Sequence, residues 1–277
     1  MTLAVPGAPP AGSAEPAGRY RLALLLRLPQ RVGTLCLLEL QRIRHDPIEL
    51  LTRTIQPALW LVIFGTTLSE LRAMPTGGVP YLDYLAPGIL AQSALFVAIF
   101  FGVQILGERD AGVLAKLMVT PTPRVALVAG KAFAAGIRAA IQGVVVLLLA
   151  VVLGVTLTGN PLKIVAALGV LVLGAAFFAC LSLVLAGLVL RRERLMGIGQ
   201  AIMMPLFFAS NALYPVDLMP VWLRWIAYIN PLSYQIDALR GLLIGTPARL
   251  ALDVTILAVM AVAGIIAAGA LLGRLTR

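Results

Sequence analysis

Six long stretches without a charged residue dominate this 277-residue chain and restrict the folds open to it. They cover residues 54–69, 84–107, 139–162, 164–190, 195–216 and 254–273. A helix needs about 20 mostly apolar residues to cross a lipid bilayer. The length of the stretches and the lack of alternating apolar and polar positions favour helices over the strands of a barrel. We therefore predict an all-α membrane protein with six transmembrane helices.

The composition agrees with that reading. Hydrophobic residues make up 60% of the chain and charged residues only 12%, whereas a soluble domain carries about 25% charged residues. The mean hydropathy is +0.98. The net charge of +10 is spread between apolar stretches and forms no compact basic module, so nucleic acid is not expected as a partner.

The distribution of Lys and Arg predicts the orientation, because these residues accumulate on the cytoplasmic side. With the N-terminus inside, 17 of the 22 basic residues fall on inner segments. The five outer ones are Arg72, Lys163, Arg224, Arg240 and Arg249. An even number of spans then places the C-terminus inside as well. We predict a multi-pass protein of the bacterial inner membrane with both termini cytoplasmic.

The chain divides into three predicted parts. Residues 1–18 are rich in Pro, Gly and Ala and read as a disordered tail without the apolar core of a signal peptide. Residues 19–50 form a cytoplasmic interfacial segment, in which 31–45 predicts a basic amphipathic helix on the membrane or, alternatively, a partner-binding helix. Residues 51–277 form the transmembrane domain, with spans at about 54–70, 84–107, 136–157, 164–190, 196–214 and 252–273.

Two segments between the spans carry further structure. Residues 108–124 predict a short cytoplasmic amphipathic helix, which is suited to docking into a groove on a partner. Residues 213–250 predict a pair of short helices that dip into the outer leaflet, because prolines divide the segment and Trp222, Trp225, Tyr228 and Tyr234 are typical of the membrane interface.

The sequence lacks the residues that catalysis or ion coupling would require. His45 is the only histidine, and Gly130-Lys131 is not surrounded by a complete phosphate-binding pattern. No charged residue is expected in the middle of a span, which argues against a proton- or ion-coupled carrier. We predict no catalytic residue, cofactor or metal in this chain. Five polar residues are candidates for lining a pathway, although helix–helix hydrogen bonding is the favoured role for each: Gln92, Gln104, Gln142, Gln200 and Asn211.

Two motifs resemble those of a known family. The first is ERDAGVL at residues 108–114, followed by LMVTP at 117–121 and Gly130-Lys131. The second is YPVDLMP at residues 214–220, followed by Trp222-Leu223-Arg224, Asn230-Pro231-Leu232 and DALR at 237–240. In this order around the predicted spans, the chain resembles the permeases of ABC-2 type transporters, and among them the daunorubicin-resistance-like drug exporters.

The resemblance implies a fold of the type V exporter kind: six spans, an N-terminal interfacial helix, a cytoplasmic coupling helix and short outer re-entrant helices. It also implies two permease subunits, identical or related, and a separate ATPase subunit that binds ATP and Mg. The coupling helix that docks on the ATPase would comprise Glu108, Arg109, Asp110, Gly112, Leu114, Leu117, Met118, Thr120 and Pro121.

The resemblance implies that the function is export. Glycan-exporting relatives often have channels lined by aromatic residues, whereas these spans contain few, so we expect the cargo to be an apolar drug, antibiotic or lipid-like molecule. Export of a lipid-linked glycan or polyketide lipid is the alternative within the family. A secondary carrier, and a membrane-embedded enzyme or scramblase-like protein, are alternatives from other classes.

Overall fold

The computed structural model describes residues 47–71, 78–114 and 124–274, together with positions 33, 37, 41, 76 and 116. For a few of these residues it describes the backbone only. The predicted tail at 1–18 lies outside the described residues. So does the predicted amphipathic helix at 31–45, apart from the isolated positions.

Every regular element in the described ranges is helical. A continuous helical segment over residues 47–71 consists of α1 (Pro47–Leu59), a π-helical part (Trp60–Gly65) and α2 (Thr66–Leu71). The elements that follow are α3 (Tyr81–Asp110), α4 (Arg124–Val152), α5 (Pro161–Val189), α6 (Arg192–Phe208), a 3₁₀ turn (Val216–Leu218), α7 (Val221–Ile229), α8 (Pro231–Leu243), α9 (Leu250–Leu271) and a second 3₁₀ turn (Leu272–Arg274).

Four helices among the described residues are long and apolar enough to cross a membrane. These are α3, α4, α5 and α9, the last extended to Arg274 by its 3₁₀ turn. The helical segment 47–71 and the 17-residue α6 lie where the first and fifth spans are predicted. Two short helices, α7 and α8, precede the last long helix.

Two helices end earlier than the predicted spans. α4 ends at Val152 instead of 157, because Gly154 takes a φ of +93° and the N–H of Val155 bonds back to the carbonyl of Ala150. α6 ends at Phe208, and residues 209–215 form a turn instead of continuing the predicted fifth span to 214.

The dipeptide Asn-Pro starts two of the helices. Asn160 precedes α5 and Asn230 precedes α8, and each side-chain Oδ1 accepts a hydrogen bond from the N–H two residues later, at 2.9 and 3.0 Å. Proline at the first helical position loses no internal hydrogen bond, because that N–H would have no partner in the helix. The sequence therefore fixes both helix starts locally.

The centre of the bundle is the pair α3 and α5. Of the 18-residue apolar part of α3, 78% is buried inside the protein, whereas the corresponding share in α9 is 22%. The two backbones approach closely at Gly102, where a Cβ would lie 2.7 Å from the carbonyl oxygen of Ser182. The Ser182 hydroxyl donates to the carbonyl of Ile99 and accepts from the N–H of Gly102. Such contacts between small residues are typical of membrane helix pairs.

The helices run alternately up and down, so the bundle has two ends. We call one the basic end; there α3 ends, α4 and α6 begin, and residues 190–191 connect α5 to α6. We call the other the aromatic end; there α3 begins, α6 ends, and α7 and α8 lie. The functional residues divide between these two ends.

Candidate functional sites

Charged side chains near the end of α3 form ion pairs with residues of α4 and α6 at the basic end. Glu108 pairs with Lys131 of α4, and their side chains are only 21% and 10% exposed. Asp110 Oδ2 lies 3.2 Å from Arg192 Nε of α6. The other carboxylate oxygen of Asp110 accepts hydrogen bonds from the guanidinium of Arg109. Three helices therefore meet through charged groups at this end.

α3 ends at Asp110, and a new helical turn begins at Val113. Gly112 has a φ of +71°, a left-handed conformation that glycine adopts without the steric cost of a Cβ. The N–H of Lys116 then bonds to the carbonyl of Gly112 at 3.3 Å. In this turn Leu114 is fully buried, whereas Val113 is 43% exposed.

The structure describes five of the nine residues predicted to dock an ATPase. Glu108 and Leu114 face the interior of the chain, and Arg109, Asp110 and Gly112 lie at the partly exposed end of α3. The other four, Leu117, Met118, Thr120 and Pro121, lie outside the described residues. The docking role stays a prediction. The structure adds that the end of α3 is tied to two further helices.

Two cations of α4 are buried seven residues apart on the same side of the helix. Lys131 is 8% exposed and Arg138 is 6% exposed. Gln142 follows one turn later, and its Nε2 donates to the carbonyl of Arg53 at 3.2 Å. The prediction that no charged residue lies in the middle of a span stays a prediction, because Arg138 stands at the start of the predicted span 136–157. The helix begins at Arg124, 12 residues before the predicted start of the span, so Arg138 lies at its midpoint.

The five candidate pathway residues lie in different places. Gln92 and Asn211 are buried within the chain, and Gln104 is partly buried on α3. Gln142 lines a small cavity of about 90 Å³ beside Arg53 and Phe100. Gln200 is exposed on the outer face of α6. The role of these five residues in lining a pathway stays a prediction.

At the aromatic end, the buried guanidinium of Arg240 in α8 binds backbone carbonyls of two other segments. It donates to Tyr84 at the start of α3, at 3.2 Å, and to Asn211 and Ala212 after α6, at 2.7 and 3.2 Å. It also lies 3.6 Å from the centroid of the Tyr84 ring, close enough for a cation–π contact. Arg240 thus joins three segments that are far apart in sequence.

Asp237 stands one turn before Arg240 and completes this cluster. Its Oδ1 accepts a hydrogen bond from Asn211 Nδ2 at 2.5 Å. Burial raises the pKa of the Asp237 carboxyl, and the charge of Arg240 and the hydrogen bond from Asn211 oppose that rise. The role of Asn211 in the structure is therefore to hold the turn after α6 against α8.

An apolar groove of about 560 Å³ lies between α6 and α7 at the aromatic end. Such a volume is within the 300–1,000 Å³ typical of sites for small molecules. Phe208 at its edge also contacts Trp60 of the π-helical segment, with ring centroids 6.2 Å apart. Ten residues line the groove: Ala201, Ile202, Pro205, Leu206, Phe208, Ala209, Tyr214, Trp222, Leu223 and Ile226.

The sequence analysis did not identify the burial of five charged residues: Asp83, Lys131, Arg138, Arg240 and Asp253. It included Arg240 only among the outer basic residues and in the DALR motif at 237–240. Asp83 accepts hydrogen bonds from the N–H and hydroxyl of Thr156, which ties α3 to the turn after α4. For Arg240 a signal was available: Asp237 precedes it by one helical turn, in an otherwise uncharged segment.

Comparison with known proteins places this architecture in a family. The profile of the ABC-2 type transporter family matches residues 30–244, which is more than half of the chain. The chain belongs to the ABC-2 type transporter family. The resemblance inferred from the two motifs is thereby confirmed.

Individual relatives agree with this assignment. The putative transport permease ycf38 of Cyanophora paradoxa is 31% identical over 205 residues, which cover 73% of this chain and 70% of that protein. The daunorubicin resistance ABC transporter permease protein DrrB1 of Streptomyces coeruleorubidus is 25% identical over 203 residues, covering 73% and 71%. Nodulation protein J of Rhizobium leguminosarum bv. viciae is 28% identical over 221 residues, covering 79% and 84%.

Membership of this family makes the chain a transmembrane subunit of an ABC transporter. ABC-2 permeases generally act with ABC ATPase subunits. The role of the chain is therefore in membrane transport, and its helical, apolar structure fits a multi-pass membrane protein.

Proposed function

We propose that this chain is the permease subunit of an ATP-driven exporter, which moves an apolar drug, antibiotic or lipid-like molecule out of the cell. A separate ATPase subunit binds ATP and Mg and supplies the energy. The observation that carries the proposal is the junction at the basic end. There Glu108 and Asp110 tie the end of α3 to α4 and α6, directly before the exposed Val113.

The proposed topology has six spans in the bacterial inner membrane, with both termini in the cytoplasm. The four long helices are four of the spans. The helical segment 47–71 has 25 residues, and at about 1.5 Å per residue it is long enough to cross the bilayer. α6 is shorter, with 17 residues, and the turn at 209–215 extends it towards the outer surface. The excess of basic residues on the inner segments supports this orientation.

The proposed coupling runs through residues 108–121. An amphipathic segment seated on the ATPase would pass closure of the ATPase to α3 and α4, which flank it in sequence. The ion pairs with Lys131 and Arg192 extend that connection to α4 and α6 directly. Movement of the docked segment therefore acts on three helices at once.

A second copy of the chain, or a related permease, completes the proposed transporter. Gln200 supports this, because it is exposed near the middle of α6 between the exposed apolar residues Ile198 and Met204. A side-chain amide facing lipid would lose its hydrogen bonds, which is unfavourable. We therefore place this face of α6 against another protein surface, with Gln200 beside the pathway.

The names of two relatives favour drug export, but a second candidate cargo remains. DrrB1 is named for daunorubicin resistance, and relatives in Mycobacterium tuberculosis are named for probable doxorubicin resistance. The groove between α6 and α7 is lined almost entirely by apolar side chains, which suits an apolar cargo. Export of a lipid-linked glycan or polyketide lipid is the alternative. A secondary carrier is the alternative from another class.

The experiment that tests the proposal uses the full chain expressed with and without the ATPase encoded next to it. We expect the ATPase to co-purify with the chain. Inverted vesicles expose the cytoplasmic face of the membrane, so we expect them to take up a hydrophobic dye, and this uptake to stop when ATP is depleted. Export that persists without ATP, with no ATPase bound, would show that the chain is not an ABC permease subunit.

A further inference from the structure

Three helix ends pack together at the basic end of the bundle. A Cβ added at Gly187, near the end of α5, would lie 3.3 Å from the Cβ of Leu271 at the end of α9. A Cβ added at Gly269 of α9 would lie 3.2 Å from a methyl carbon of Val125 at the start of α4. The absence of a side chain at these two glycines therefore lets the ends of α5 and α9 and the start of α4 approach closely.

The same packing brings together two arginines from different helices. The guanidinium of Arg124, the first residue of α4, lies against Gly273, where an added Cβ would be 2.7 Å from Nη1 of Arg124. The residue after Gly273 is Arg274, and both arginines are exposed. Like charges on neighbouring parts of a surface repel each other. A negatively charged group bound between them therefore lowers the free energy of this arrangement.

No carboxylate in the described part of the chain pairs with either arginine. Three other basic residues at this end do have carboxylate partners: Arg109, Lys131 and Arg192. A guanidinium presents a planar fork of N–H donors that matches the oxygens of a phosphate group. Arg124 and Arg274 are therefore suited to a phosphate group from outside the chain.

Apolar side chains beside these arginines relate the surface to the membrane. Val125, directly after Arg124, is 47% exposed, and Leu188, directly after Gly187, is 56% exposed. The surface thus changes from charged to aliphatic over a short distance. A phospholipid has the matching profile, because its charged headgroup continues into acyl chains. A free phosphate ion would leave the aliphatic side chains uncovered.

We propose that Arg124 and Arg274 bind the headgroup of an anionic phospholipid of the inner leaflet, whose acyl chains cover Val125 and Leu188. Phosphatidylglycerol fits this site, because its phosphate is the only charged group of the headgroup. Phosphatidylcholine fits poorly, because its quaternary ammonium would lie close to two further cations. The proposed topology enters only in the choice of leaflet. Binding needs neither ATP nor an ATPase, so failure of this site and failure of ATP-dependent export are separate results.

Native mass spectrometry of the full-length chain in a mild detergent tests the headgroup preference. Phosphatidylglycerol or phosphatidylcholine with the same acyl chains is added stepwise, and the fraction of protein that carries one lipid is measured. We expect the first phosphatidylglycerol molecule to bind at least tenfold more tightly than the first phosphatidylcholine molecule. Equal affinities for the two lipids would overturn the proposal.

A matched pair of double variants locates the site. Arg124→Gln with Arg274→Gln removes both charges from the site, and Lys163→Gln with Arg249→Gln removes two exposed charges at the aromatic end. We expect the first variant to bind phosphatidylglycerol at least tenfold more weakly, since each basic residue near an anionic lipid contributes roughly a fivefold factor. The second should bind it like the unaltered chain. Normal binding by the first variant, or an equal loss in both, would contradict the proposal.

A third variant separates charge from packing, because Arg124 also packs against Gly273. Arg124→Lys with Arg274→Lys keeps both charges, so we expect it to retain the preference for phosphatidylglycerol that the glutamine variant loses. Loss of the preference in both variants would mean that the packing of Arg124 is responsible, and the proposal would be wrong. It would also be wrong if the glutamine variant kept its lipid but no longer co-purified with the ATPase, because the surface would then be a protein interface.

Discussion

At the basic end, charged side chains pair with one another, in the Asp110–Arg192 pair close to the surface, whereas at the aromatic end one buried guanidinium binds three backbone carbonyls. Asp110, in the basic-end pair with Arg192, has a side chain that is 45% exposed. Arg240 at the aromatic end is only 4% exposed. An exposed ion pair contributes little to stability. Removal of a buried charge, in contrast, takes hydrogen bonds away from its partners, and no water is available there to replace those bonds.

The comparison suggests that the two ends have different roles, one in stability and the other in coupling to the ATPase. The aromatic end holds α3, α8 and the turn after α6 in a fixed arrangement. The basic end joins α3, α4 and α6 through contacts that can break and re-form when a partner pulls on the segment after α3. We expect substitutions at the aromatic end to lower stability, and substitutions at the basic end to alter coupling to the ATPase more than stability.

The largest effect is expected for Arg240→Ala. It removes a buried donor from the carbonyls of Tyr84, Asn211 and Ala212, which should cost about 3 kcal/mol of unfolding free energy. The measurement is a denaturant titration in detergent micelles, with Arg249→Ala at an exposed outer position as control. A loss no larger than that of the control would mean that Arg240 does not hold this end together.

The next largest effect is expected for Gly88→Ala. A Cβ at Gly88 would lie 2.6 Å from the carbonyl oxygen of Ala212, so α3 and the turn after α6 must move apart. We expect about 2 kcal/mol of destabilisation. Gly169→Ala is the matched control, because a Cβ there meets no atom within 4 Å. Equal stability of the two variants would show that the close contact at Gly88 is not required.

A smaller effect is expected for Lys131→Met, which removes the partner of the largely buried Glu108. We expect a loss of about 1.5 kcal/mol, between the values for exposed and buried pairs. Adding Glu108→Gln should restore part of it, because the unpaired carboxylate is then gone. Additive losses in the double variant would contradict the ion pair.

The smallest effect on stability is expected for Arg192→Gln. Its pair with Asp110 is about half exposed on both sides, so the loss should be about 0.5 kcal/mol and should shrink as salt is added. Substrate-stimulated ATP turnover by the complex should nevertheless fall severalfold. Exchange of the two charges in Asp110→Arg with Arg192→Asp should restore turnover, and a failure to do so would argue against the pair as a coupling element.

The comparison also explains what the sequence could predict. Runs of uncharged residues located the four long helices, and the Asn-Pro dipeptides marked the starts of α5 and α8, because both signals are local. Gly154, with a φ of +93°, ends α4 before the apolar run is over, and hydropathy alone does not register such a turn.

The buried charges were not predictable from hydropathy. Arg138 lies at the midpoint of α4 because the helix extends well beyond the apolar stretch. The partners of Arg240 are backbone carbonyls 28, 29 and 156 positions away, and carbonyl groups carry no sequence signal. The groove likewise depends on how α6 and α7 pack, which becomes evident only in three dimensions.

The central claim, that the segment after α3 couples this chain to an ATPase, is tested most directly by ATP turnover of the reconstituted complex. The decisive variant carries Leu117→Glu and Met118→Glu. Its matched control carries Leu218→Glu and Val221→Glu, two exposed residues at the aromatic end of the bundle. The account predicts normal membrane insertion in both, loss of substrate-stimulated turnover in the first and retention in the second. Normal stimulated turnover in the first variant would contradict the claim.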